Sequence, residues 1–89
     1  MSSSPVTRVV VAATTPDPEQ RAVRVSRDLL ASGHEVVYLG EALTPLQVAR
    51  SAVAEDAVQV VVSDEAVGAV RRELDALGID DVEVAPLGG

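Results

Sequence analysis

The chain reads as a single α/β domain built on an open parallel sheet, with elements in the order βαβαβαβ. Three observations predict this. Valine-rich runs of four or five residues recur at Val9–Ala13, Val36–Leu39 and Val58–Val62, the last interrupted only by Gln59, and the first has the pattern of a parallel strand covered on both faces. Between them lie stretches with helical spacing and clear start or stop signals. Finally, 89 residues hold one domain and no more. Sheets wound in this way, with right-handed crossovers, take the strand order 2-1-3-4, a Rossmann-like arrangement of the flavodoxin type.

Residues 1–7 form a Ser/Pro/Thr leader without periodicity, expected to be flexible, and the domain spans 8–89. Val9–Ala13 is the first strand, and Thr14-Thr15-Pro16 is a loop. Asp17 then has the features of an N-cap, with Pro18 at the first helical position and Gln20 three residues beyond the cap. The helix predicted from there to about Ser32 gathers Ala22, Val25, Ser26 and Leu29 on one stripe, and Gly33 closes it. Glu35–Leu39 is the second strand. Thr44-Pro45-Leu46-Gln47 is the next helix start, and the helix is predicted to run to about Asp56 with Val48, Ala49, Ala52 and Val53 inward. Val58–Val62 is the third strand. Ser63 or Asp64 caps a third helix to about Leu77, with Val67, Val70, Leu74 and Leu77 inward and Arg71-Arg72 outside. Gly78 stops it, and Asp81–Ala85 is the fourth strand.

Composition narrows the function classes. The net charge is −7, which opposes binding to nucleic acid or to an anionic membrane surface. No apolar run approaches the roughly 18 residues of a membrane span, and the segment after Met1 lacks the features of a secretory signal, so a cytoplasmic protein is expected. Without cysteine there is neither a disulfide nor thiolate chemistry. No Gly-x-Gly-x-x-Gly or Walker A run offers a phosphate cradle. No acid/base pair, nucleophile with its base, or metal cluster stands at a recognisable spacing, so the reading leans away from an enzyme. Asp17, Glu19, Asp64 and Glu65 would gather at the carboxyl ends of the strands, where their simplest role is to complement helix N-termini. His34, the single histidine, opens the second strand as a solvated turn residue.

One segment carries more information than the rest. Gly33-His34-Glu35-Val36-Val37-Tyr38-Leu39-Gly40, followed by Thr44-Pro45 and Ala52-x-x-Glu55, resembles the cobalamin-binding domain of the methylmalonyl-CoA mutase family. The resemblance implies a cobalamin site formed by three loops. After the first strand the family carries Asp-x-His-x-x-Gly, whose His reaches the cobalt while the Asp fixes its tautomer. The corresponding register here gives Asp17, Glu19 and Ala22, with Glu in place of the His and Ala in place of the Gly. After the third strand a Ser-x-Leu motif lines the slot for the dimethylbenzimidazole tail, and here it reads Ser63-Asp64-Glu65. After the fourth strand, Gly88-Gly89 matches a family Gly-Gly. The resemblance therefore implies a degenerate site at Asp17, Glu19, Ala22, Ser63, Gly88 and Gly89, without His-on cobalt ligation.

The same resemblance implies a truncated domain, because the family continues into a fifth strand and a closing helix. Val and Leu side chains near the third and fourth strands would lie uncovered, and the fourth strand would be an open edge guarded only by Asp80, Asp81 and Glu83. The expected function is a non-catalytic structural or regulatory subunit that pairs with itself as a homodimer or with a larger enzyme subunit. No bound cofactor is then needed. The alternative is a base-on cobalamin carrier, or the small subunit of a cobalamin-dependent mutase.

Overall fold

The computed structural model describes residues 7–88. It contains β1 (Arg8–Ala12), α1 (Arg21–Ala31), β2 (Glu35–Gly40), α2 (Pro45–Ala54), β3 (Gln59–Val62), α3 (Val67–Ala76), preceded by a short 3₁₀ turn at Asp64–Ala66, and β4 (Glu83–Pro86). The four strands form one parallel sheet in the order β2-β1-β3-β4, as the sequence predicts. The order reverses between β1 and β3, where the chain leaves toward opposite faces. The expected leader falls mostly outside the described residues, as does Gly89.

Alternation along the strands divides the core in two. On one face Val10, Ala12, Val60 and Val62 pack beneath Val48, Ala49 and Ala52 of α2 and Val70 and Leu74 of α3. On the other, Val9, Val11 and Val61 pack against Ala22 of α1, flanked by Val25, Leu29, Val36 and Leu87. The central strand β1 is inaccessible to solvent from Val9 to Ala12, which accounts for its uninterrupted apolar run.

Several expectations are corrected. Val53 and Leu77, assigned inward from their spacing, are 43% and 42% exposed. Each lies in or just after the last turn of its helix, past the cover of the sheet. Arg71 is half-buried, and its Nη2 donates to the Val82 carbonyl, joining α3 to the approach to β4. The uncovered apolar patch near β3 and β4 does not form. The face of those strands opposite α2 and α3 carries Gln59, Glu83 and Ala85 around Val61, and Val61 is only 6% exposed, with Leu87 folded against its cluster. α2 also ends earlier than expected, at Ala54, because Asp56 takes the left-handed conformation at φ 55°.

Candidate functional site

The carboxyl ends of β1 and β3 diverge at the point where the strand order reverses, and a crevice opens between their following loops, as open α/β sheets generally provide. It has a volume of about 450 Å³ and is lined by the β1–α1 loop from Thr15 to Glu19, by Arg21, by Ser63, Asp64 and Glu65, and by Leu87. Four carboxylates thus face a single guanidinium. Three of the expected site residues, Asp17, Glu19 and Ser63, come together here. Gly88 lies just beyond, and Ala22 lies beneath.

The β1–α1 loop is built differently from the sequence expectation. Asp17 is not the residue at the helix boundary. The chain makes a further turn through Pro18 and Glu19, and Gln20 becomes the boundary residue at φ 56° without a side-chain cap. Asp17 still serves the helix from a distance, since Oδ1 accepts from the Arg21 N–H at 3.1 Å and Oδ2 from the Ala22 N–H at 2.9 Å. Both are donors that a helix leaves unpaired in its first turn. The Asp17 N–H in turn donates to Glu41 Oε2 at 2.9 Å, which ties this loop to the one after β2.

The other expected positions are likewise engaged. Glu19, which stands where the resembling family has its cobalt ligand, accepts from Arg21 Nε at 3.1 Å and pairs with Nη2 at 3.0 Å. Ala22 is wholly buried on Val9, Val11 and Val61, so α1 rests directly on the sheet. Ser63 is buried, and its Oγ accepts from the Thr14 N–H at 3.0 Å, bridging the loops after β1 and β3. Ser63 begins the 3₁₀ turn but makes no side-chain cap. Asp64 Oδ1 accepts from the Gly88 N–H at 3.0 Å, holding the segment after β4 across the crevice mouth. This bond, and the partial burial of Leu87 beside it, are not among the sequence expectations.

The chain's one imidazole is at the opposite end of the sheet. His34 immediately precedes β2, and its N–H closes α1 by donating to the Leu29 carbonyl at 3.0 Å. The six residues of β2 separate it from the carboxyl ends by roughly 20 Å of strand. Among the described residues, no group of three or more His, Cys, Asp or Glu side chains is placed to hold a metal ion.

These residues do not fit a cobalamin bound through a protein ligand to cobalt with its benzimidazole tail inserted in the domain. A benzimidazole tail entering between α1 and the sheet would meet the packed Ala22–Val61 contact. Its phosphodiester would face carboxylates, and no described side chain at the crevice offers a nitrogen to cobalt. No helix among the described residues is long and apolar enough to cross a membrane. No protein-family model matches the chain, and no curated protein is significantly similar to it.

Proposed function

We propose that this chain is a corrinoid-domain-like subunit that does not ligate cobalt and acts without catalysis, by associating with itself or with a larger enzyme. One observation carries this reading: the β1–α1 loop spends its functional groups on its own architecture. Asp17 accepts from the first turn of α1, Glu19 pairs with Arg21, and Ala22 fills the space beneath the helix. A loop that supported a bound cofactor would keep acceptors or donors directed into the crevice. Ser63 has no histidine partner, and its hydroxyl is held by the Thr14 N–H, which favours a structural role over a nucleophilic one. The resemblance of residues 33–55 to the cobalamin-binding domain supplies the corrinoid part of the proposal.

The test is retention of the cofactor. After incubation with excess hydroxocobalamin and desalting, the protein fraction is expected to be colourless. A stoichiometric red protein would replace this reading with that of a base-on carrier.

A further inference from the structure

The two outer edges of the sheet differ in how they meet solvent. β4 follows Asp80 and Asp81, carries Glu83, and ends in Pro86, which has no N–H to offer. Charge and proline of this kind block edge-to-edge pairing. β2 has no such guard. Its one acid, Glu35, is bound by Arg8 of the neighbouring strand, and Val36 to Gly40 is an uncharged run.

The backbone of β2 specifies which groups are free. The Glu35 N–H donates to the Thr7 carbonyl at 2.8 Å, and the ladder continues with Val36, Val37 and Tyr38 opposite Val9, Val10 and Val11. Alternation then turns the N–H and C=O of Glu35 and Val37 toward β1, and those of Val36 and Tyr38 outward. Apolar side chains border this edge on both faces. Tyr38 is 46% exposed on the face that carries α1, while Val37 and Leu39 are only partly buried on the other. The last turn of α1, which packs along β2, exposes Leu30.

We infer that the outer edge of β2 is a dimer seam, on which a second copy of the chain pairs antiparallel about a two-fold axis at Val37. This deepens the association reading of the preceding subsection by supplying its surface and its partner. With the axis at Val37, Val36 faces Tyr38 of the second copy and Tyr38 faces its Val36. Every outward N–H and C=O of the two residues is then paired. Neighbouring registers do worse. An axis at Val36 sets Tyr38 against His34, whose N–H already donates to Leu29. An axis at Tyr38 sets Val36 against Gly40, whose C=O already accepts from Ala13. Tyr38 would lie beside the second copy's Val36, an aromatic–β-branched pair, and Val37 would meet itself.

Charge favours a second copy at this edge over β4. Two chains of net charge −7 repel, and pairing at β4 would bring Glu83 and the flanking aspartates of both together. At β2 the apposed run is neutral.

The chain has no cysteine, so one introduced thiol reports the seam directly. Val37→Cys places two thiols across a non-hydrogen-bonded antiparallel pair about 4.5 Å apart at Cα, within disulfide reach. Under mild oxidation it is expected to give a covalent dimer, while Glu83→Cys stays monomeric. The unmodified chain is expected to sediment at twice its 9.2 kDa mass. Tyr38→Pro removes an outward N–H and leaves the ladder to β1 intact. It should weaken the dimer about tenfold or more with an unchanged far-ultraviolet dichroism spectrum. Should proline perturb that spectrum, Tyr38→Lys is expected to weaken the dimer while keeping the fold. A monomer at about 50 μM, or cross-linking through residue 83 and not 37, would overturn the seam. Neither outcome bears on cofactor retention, so the seam and the absence of cobalt ligation can fail separately.

Discussion

Asp17 shows how one side chain fixes both the shape and the chemistry of the crevice. Its two oxygens accept from successive N–H groups at the start of α1, so Asp17→Ala leaves both donors without a protein partner, the one on Ala22 largely cut off from water. We expect a loss of about 1–2 kcal/mol in urea unfolding, with Asp17→Asn, which keeps one acceptor, recovering part of it. The sequence marked Asp17 as a helix cap but misplaced the boundary. An Asp-Pro pair normally begins a helix at the proline, and nothing in the residue types shows that Gln20 will take φ 56°. Asp56 is a similar case. All three helices end with paired hydrogen bonds around a left-handed residue: Gly33 after α1, Gly78 after α3 and Asp56 after α2. The two glycines were legible as stops, whereas Asp56, without a glycine to mark it, was read as the end of the helix itself. Left-handed backbone costs a non-glycine residue about 1–2 kcal/mol, more than the unfolded-state entropy that glycine adds. Asp56→Gly should therefore stabilise the protein by about 0.5–1 kcal/mol in the same assay. A neutral or destabilising result would mean that the attraction of the Asp56 carboxylate for Arg8 offsets the backbone gain.

The helices and strands were largely readable because their signals are local. Thr44 and Gln47 form the reciprocal cap that the Thr-Pro-Leu-Gln segment announces, with the Gln47 N–H donating to Thr44 Oγ1 at 3.1 Å and the Thr44 N–H to Gln47 Oε1 at 2.9 Å. The inner faces were less readable, because periodicity does not show where a helix overhangs its sheet. Leu74 and Leu77 share a stripe in sequence, yet Leu74 is fully buried and Leu77 is 42% exposed. Leu74→Ala should cost about 2–5 kcal/mol, a large part of the roughly 5–13 kcal/mol expected for a domain of this length. Leu77→Ala should stay within about 0.5 kcal/mol. Thermal unfolding of the two variants distinguishes a core built around Leu74 from one shared along the stripe, in which both would lose comparable stability. Arg8 belongs to the same level of organisation. Its hydrogen bond to Glu35 and the nearby Glu35, Glu55 and Asp56 charges raise its already high pKa, and its Nη1 donates to the Glu55 carbonyl at 2.7 Å. A raised pKa keeps the Arg8 guanidinium charged, and what its charge contributes is lost on the alkaline side only as the pH rises into strong alkali.

The strand order 2-1-3-4 follows from right-handed crossovers and the alternation of elements, and it places the crevice between β1 and β3 without any knowledge of side chains. What the order does not reveal is whether the crevice is available. Asp17, Glu19 and Ser63 reach it as their places after β1 and β3 require, but each is already engaged, and Ala22 seals the floor. Two bonds at the crevice join loops far apart in the chain, Thr14 to Ser63 and Asp64 to Gly88, and spacing carries no trace of them. The expected open apolar face near β3 and β4 failed for a related reason, since Gln59 and Glu83 lie on that face and Leu87 turns back onto Val61. The edge at β2 thus becomes the better candidate for association. The proposed lack of cobalt ligation, at a crevice whose Asp17, Glu19 and Ser63 are already engaged, is tested most directly by titrating isotopically labelled protein with cyanocobalamin while following its amide resonances. The amides of Thr14–Ala22 and Ser63–Glu65 should keep their positions at every ratio of cofactor to protein; saturable shifts confined to those two loops would contradict it.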